Sequence, residues 1–240
     1  MIKQNPAQIF KAHTRDRIEN ETHRLQATFS FNELSSETKN TFGALTALND
    51  ETLAPKKSIE RKLPPETLVM VLPLVGAVQC TFTANEPVIV VPGEAFSFNS
   101  KQGATINIEN PYDENLINFI FITFSNIYPS DILLPDNFLI ARTNLSEKNV
   151  FHKLLDVIHS GFSTQLALFS GRAENNYQIT NKANAVFGFV ISGAFEIQGR
   201  LLEERDGLGL WGIDEVEIEA LSENAILLLI ELPLNGFTAV

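Results

Sequence analysis

The stretch Leu68-Val69-Met70-Val71-Leu72-Pro73-Leu74-Val75-Gly76-Ala77-Val78-Gln79-Cys80-Thr81-Phe82-Thr83 decides the fold. Two short runs rich in Val, Leu, Phe and Thr flank a single glycine, which is the pattern of two strands joined by a tight turn. Residues 87–91, 104–108 and 116–124 repeat the texture, with turn formers at Asn85, Pro92-Gly93, Gly103 and Asn110-Pro111-Tyr112-Asp113. These spacings leave no room for crossover helices, so the strands must pair antiparallel in a sandwich or barrel. Pro73 has no amide donor and marks an edge position or a bulge.

A second group of strand-like runs follows at residues 166–169, 185–191, 194–198, 207–212, 216–221 and 225–232. Glu215, Glu217 and Glu219 alternate there with Val216, Ile218 and Ala220, which puts the carboxylates on a solvated face. The texture changes between the groups. Val150, Phe151, Leu154, Leu155 and Ile158 recur at helical spacing after Ser146, a candidate N-cap, and before Gly161, a candidate stop. The spacing predicts a short helix in a linker. The two strand groups also echo each other. Val75-Gly76-Ala77-Val78 matches Ser192-Gly193-Ala194-Phe195, and the later turn Pro92-Gly93-Glu94 matches Arg205-Asp206-Gly207. A duplicated β-domain explains both matches.

The chain has 240 residues, of which 44% are hydrophobic and 18 are Phe, enough for one or two cores and incompatible with general disorder. Lys and Arg total 18 against 29 Asp and Glu, a net charge of -11, so a nucleic-acid partner is not expected. The lone Cys80 allows no internal disulfide. No run approaches 18 apolar residues, and Met1-Ile2-Lys3-Gln4-Asn5-Pro6 lacks the apolar core of a secretory signal. Composition therefore predicts a soluble cytoplasmic protein with no membrane association.

Three stretches resemble pirin and the pirin-like bacterial quercetin dioxygenases, which are two-domain cupins. The first is His23-Arg24-Leu25-Gln26-Ala27-Thr28-Phe29-Ser30-Phe31, with Thr41-Phe42-Gly43-Ala44-Leu45 and Leu48-Asn49-Asp50-Glu51-Thr52-Leu53-Ala54-Pro55. It is similar to the family's His-Thr-Phe-Ser-Phe, Phe-Gly-x-Leu and Leu-Asn-Asp-Asp-x-Val-x-Pro series. The second is Val91-Pro92-Gly93-Glu94 followed by Gly103, like the family's Pro-Gly-Asp turn and later glycine. The third covers residues 199–209 and 225–233, like the second cupin with its Leu-rich last strand. The resemblance implies an all-β chain of two cupin (jelly-roll) barrels. An N-terminal cupin would span residues 1–140, a linker with the short helix 141–160, and a C-terminal cupin 161–240.

The resemblance also implies a metal site in the first cupin, built in the family from His-Pro-His and then a His and a Glu two residues apart. Lys62, Pro64, Ile106 and Ile108 resemble those four positions. A protonated Lys does not coordinate, Pro has no side-chain donor, and Ile has none either. A one-residue shift of register would instead bring Asn107 and Glu109 forward. Lys62 and Glu66 lie near the same strand, either at the surface or aimed inward with a partner. Lys62, Glu66, Asn107 and Glu109 are therefore the candidate pocket residues. Ile106 and Ile108 share one strand face, which in the family register looks into the barrel.

The remaining candidates have plain readings. His23 is a structural residue at a strand start, His13 is solvated, and His152 and His159 are surface or packing residues. Cys80 reads as a small buried hydrophobe, Trp211 as core, and Glu203-Glu204-Arg205-Asp206 as a solvated turn. No phosphate loop, dinucleotide fingerprint, Gly-x-Ser-x-Gly or paired-Cys motif occurs. The sequence thus predicts a pirin-like bicupin without a metal site or other cofactor, acting as a binding or interaction protein for an unidentified small molecule or protein. The rival reading is a metal-dependent oxygenase of the quercetin 2,3-dioxygenase type. A third is a barrel mouth holding a small hydrophobic ligand.

Overall fold

The segment Glu215–Ala220 shows the rule that builds the molecule. Val216, Ile218 and Ala220 are buried and the glutamates between them are not, as a strand with one wet face requires. The computed structural model describes residues 5–29, 41–82, 86–125, 138–157 and 162–234. Ser30, Phe31, Thr83, Asn85, Ile158, His159 and Gly161 lie outside the described residues.

The chain begins with β1 (Ala7–Phe10) and a 3-10 turn (Ala12–Thr14). It continues through β2 (Asp16–Glu19), β3 (His23–Ala27), β4 (Leu45–Leu53), β5 (Ser58–Leu63), β6 (Thr67–Val75) and β7 (Val78–Phe82). Next come β8 (Val88–Val90), β9 (Glu94–Ser100), β10 (Ala104–Glu109), β11 (Ile117–Ser125) and β12 (Phe138–Arg142). The second series is β13 (His152–Val157), β14 (Phe162–Phe169), β15 (Glu174–Gln178), β16 (Asn184–Ser192) and β17 (Phe195–Ile197). It ends with β18 (Arg200–Leu202), β19 (Gly207–Trp211), β20 (Glu215–Ala220) and β21 (Ala225–Pro233).

The fold is all-β and consists of two compact units, Asp16–Arg142 and Met1–Arg15 with Thr143–Val240. In the first, a sheet of order β12-β9-β6-β11-β4-β3-β2 accompanies a sheet of order β5-β10-β7-β8. In the second, β1-β19-β16-β21-β14-β13 accompanies β15-β20-β17-β18. Laid side by side, the two orders match strand for strand from β4 to β11 and from β14 to β21. The glycine echo marks equivalent turns. Gly76 and Gly193 both have positive φ, at 71° and 80°, and both join equivalent strand pairs. A Cβ on Gly76 would lie 2.9 Å from Ile117 Cγ2, and one on Gly193 2.3 Å from Ser222 Oγ, so neither turn accepts a side chain.

Three details differ from the sequence reading. Among the described residues the linker forms no α-helix, and β13 stands there instead, paired with β14. A register shift between Lys153 and Leu155 lets the consecutive leucines Leu154 and Leu155 both be buried. That β-bulge breaks the period of two and imitates helical spacing. Second, residues 7–10 do not join the first unit. β1 pairs with β19, from Ala7 opposite Leu210 to Phe10 opposite Gly207, and covers a sheet edge that would otherwise stand open. Third, Asp206 is buried rather than solvated. It accepts hydrogen bonds from Lys11 Nζ, from the Ala12 amide at 2.8 Å and from the Glu203 amide at 2.9 Å. Burial pushes its carboxyl up, but these donors outweigh it and hold the group below the usual aspartate range.

Pro73 sits beside a bulge in a central strand. The β6–β11 register shifts between Asn118 and Phe119, and β6 pairs with β9 only as far as Val71. No helix among the described residues is long and apolar enough to cross a membrane.

Candidate functional site

The alternation of β5 fixes what looks into the first barrel. Arg61 and Leu63 are buried, while Glu60 and Lys62 are exposed. The inward set is therefore Ile59, Arg61 and Leu63. Across the ladder Ile106 stands opposite Arg61 and Ile108 opposite Ile59. On the other side of β10, Ile106 faces Phe82 and Ile108 faces Cys80. Both isoleucines are fully buried in the cluster that includes Val71, Phe96 and Phe121. Each contributes roughly 1.5–3 kcal/mol relative to exposure.

The sequence-predicted pocket residues do not converge. Lys62 is exposed on the outer face of β5, and Pro64 and Glu66 are exposed in the turn that follows. Glu66 holds a φ of 57° while its amide donates to Ser100 O at 2.9 Å. Asn107 and Glu109 are half-buried on the outward face of β10, where Gln79 Nε2 donates to Glu109 Oε2 at 3.2 Å. The correction has one cause, since a strand presents every second residue to its interior and Arg61 sets the phase. Lys62, Pro64, Ile106 and Ile108 do not form a donor set for a divalent metal. Ile106 and Ile108 offer carbon only, and Lys62 is turned away. Among the described residues no three His, Cys, Asp or Glu side chains gather as a metal-binding group. Cys80 is buried and its thiol is pushed up to about 12 by that burial, so it carries no thiolate.

A charged cluster that the sequence reading did not assemble lies on the inner face of β4. Glu51 is fully buried. His23 Nε2 lies 2.9 Å from its Oε2, and Arg61 Nη2 donates to the same oxygen at 2.6 Å. The guanidinium also lies over the Phe121 ring, with Cζ 4.3 Å from the centroid. Burial pushes the Glu51 carboxyl up. The Arg61 charge and the hydrogen bonds from His23 and Arg61 outweigh that and hold it below the usual glutamate range. Asn49, two residues earlier on the same face, is also fully buried. Its two amide atoms and Glu51 Oε1 make no hydrogen bond among the described residues. The available signal was the apolar–Arg–apolar alternation of Ile59, Arg61 and Leu63, which reads as a strand with a charge on its inner face.

His23 connects this cluster to the surface. Its side chain is 15% exposed. It lines a cleft of about 240 Å³ together with Thr22, Arg24, Thr52, Ala54 and the exposed Leu116. The second unit has a buried carboxylate of its own, Glu231, on the same face of β21 as Leu227 and Leu229. It accepts from Tyr177 Oη at 2.7 Å, Thr180 Oγ1 at 2.6 Å, the Thr180 amide at 3.0 Å, the Asn181 amide at 3.2 Å and Asn184 Nδ2 at 2.7 Å. Burial and the adjacent carboxylate push the Tyr177 hydroxyl up, so it remains a donor. An acid-lined cleft of about 330 Å³ lies on the second four-stranded sheet, where Glu174 and Glu196 both stand opposite Glu219.

Residues 157–232 match the family model of the quercetinase C-terminal cupin domain. The fold is similar to that of YhhW from Escherichia coli, with a TM-score of 0.83 at 19% identity over 95% of this chain and 98% of that one. A structure of the same bacterial pirin in complex with nickel(II) gives 0.82 at 19% identity, over 95% and 99%. Quercetin 2,3-dioxygenase from Acinetobacter baumannii gives 0.70 at 15% identity, over 95% of this chain and 79% of that one. A search of curated protein sequences finds no significant match. Over nearly its whole length the chain thus shares the two-unit fold of these bacterial pirin structures, and its residues 157–232 match the quercetinase C-terminal cupin domain.

Proposed function

We propose that this bicupin has lost its metal site and serves as a non-catalytic binding or interaction protein in the cytoplasm, for a small-molecule or protein ligand. One observation carries the reading. The inner positions of β10 that resemble family ligands are Ile106 and Ile108, both fully buried and without a donor atom. The net charge of -11 favours a ligand other than nucleic acid or an acidic membrane surface. A small ligand, if one binds, has the cleft beside His23 open to it, where Leu116 and Ala54 lie next to His23, Arg24, Thr52 and the acidic Glu19 and Glu21.

The second reading, a metal-dependent oxygenase of the quercetin 2,3-dioxygenase type, is favoured by the quercetinase family model matched at residues 157–232. An aerobic assay with quercetin and added nickel(II), iron(II) or manganese(II) separates the two. The first reading expects the flavonol absorbance to persist. Metal-dependent loss of that absorbance, abolished by a chelator, would establish the oxygenase.

A further inference from the structure

A carboxylate with no solvent contact inside an apolar barrel requires a counter-charge or a full set of hydrogen-bond donors, or it protonates. Glu51 is in that position, yet its carboxyl lies below the usual glutamate range. The charge that satisfies it comes from within the chain. Arg61 reaches Glu51 Oε2 at 2.6 Å and stacks on Phe121. In the β5–β10 ladder it is the direct cross-strand neighbour of Ile106. His23 completes the approach to the same oxygen from β3 at 2.9 Å. Glu51 Oε1 and the Asn49 amide point to the same inner face with no hydrogen-bond partner among the described residues.

We propose that Glu51, held by His23, and the Phe121 ring form a cation site in the first barrel, and that the Arg61 guanidinium is its built-in occupant. The site takes a planar organic cation rather than a metal ion. A guanidinium offers a fork of N–H donors to a carboxylate and a flat face to Phe121, whereas a metal ion would need more than one imidazole and one carboxylate as strong ligands. The proposal deepens the metal-free reading and rests on it. It adds that the barrel is charge-complete without any ligand taken from solution.

The test uses the full-length chain. Arg61→Ala is expected to lower the melting temperature and to leave a site that methylguanidinium refills. Saturating methylguanidinium chloride should raise the Arg61→Ala melting temperature by about 4–8 °C. The wild type and the Arg61→Ala/Glu51→Gln variant should show no rise. An unmoved melting temperature, or a rise that survives the loss of Glu51, would overturn the proposal. A rise with nickel(II) but none with methylguanidinium would also overturn it, by making the site a metal site that Arg61 blocks. Stoichiometric nickel on the wild type is a separate result, and it would count against the metal-free reading itself. If Arg61→Ala does not fold, Arg61→Lys and Arg61→Gln decide the matter. The charged variant should keep part of the stability that the neutral one loses, and equal losses would overturn the proposal.

Discussion

Among the described residues the two repeats bury one carboxylate each on an inner strand face and satisfy it by different means. Glu51 in the first unit is met at a single oxygen by Arg61 and His23, and its other oxygen makes no hydrogen bond among the described residues. Glu231 in the second unit is surrounded by neutral donors, namely the Tyr177 and Thr180 hydroxyls, two amides and the Asn184 side chain. Hydrogen-bond saturation without a counter-charge is a structural solution, suited to fixing a turn against a strand. Compensation by a guanidinium leaves polar atoms over, because Arg61 and His23 both meet one oxygen of Glu51. The shared sheet order makes the comparison direct, because the strands carrying these groups are equivalent or adjacent in the repeat.

The largest expected effect follows from removing the counter-charge. Arg61→Met should cost about 3–5 kcal/mol in urea unfolding, because Glu51 would be left buried beside His23 alone. Adding Glu51→Leu should recover most of that loss, since a buried ion pair replaced as a unit is often nearly neutral. A double variant as unstable as the single one would mean that Arg61 contributes by packing and not by charge.

Next comes the face opposite Arg61. Replacing Ile106 with His and Ile108 with Glu should destabilise the protein by about 2–5 kcal/mol, because large polar groups would enter the cluster around Phe96 and Phe121 without partners. Little change in thermal unfolding would show that this face is wet, and would move a small ligand in the barrel mouth to first place.

The smallest effect is expected in the second unit. Glu231→Gln keeps the shape and one acceptor oxygen, and should cost about 1–3 kcal/mol. A cost above that of Arg61→Met would erase the distinction drawn between the two carboxylates.

The fold was legible in the sequence wherever one face of a strand is wet. Glu215–Ala220 shows the alternation plainly, and the glycine echo at Gly76 and Gly193 revealed the duplication before any pairing was known. β13 was not legible, since its bulge buries Leu154 and Leu155 in succession and no single-sequence period describes that. Nor was β1, whose partner β19 lies about two hundred residues away in the chain. At the candidate site, Ile106 and Ile108 were placed by the family resemblance. Lys62 was chosen where Arg61 is the inward residue, and in a strand that one-residue difference exchanges solvent for core. The pairing of His23 with Glu51 was hidden because it depends on β3 and β4 being neighbours, with His23 opposite Leu53 and Leu25 opposite Glu51.

The most direct measurement is the metal content of the full-length protein after incubation with excess nickel(II) and removal of unbound ion. A first barrel neutralised by Arg61 and lined by Ile106 and Ile108 should retain only trace metal by elemental analysis. About one nickel ion per chain, retained on desalting and released by a chelator, would contradict it.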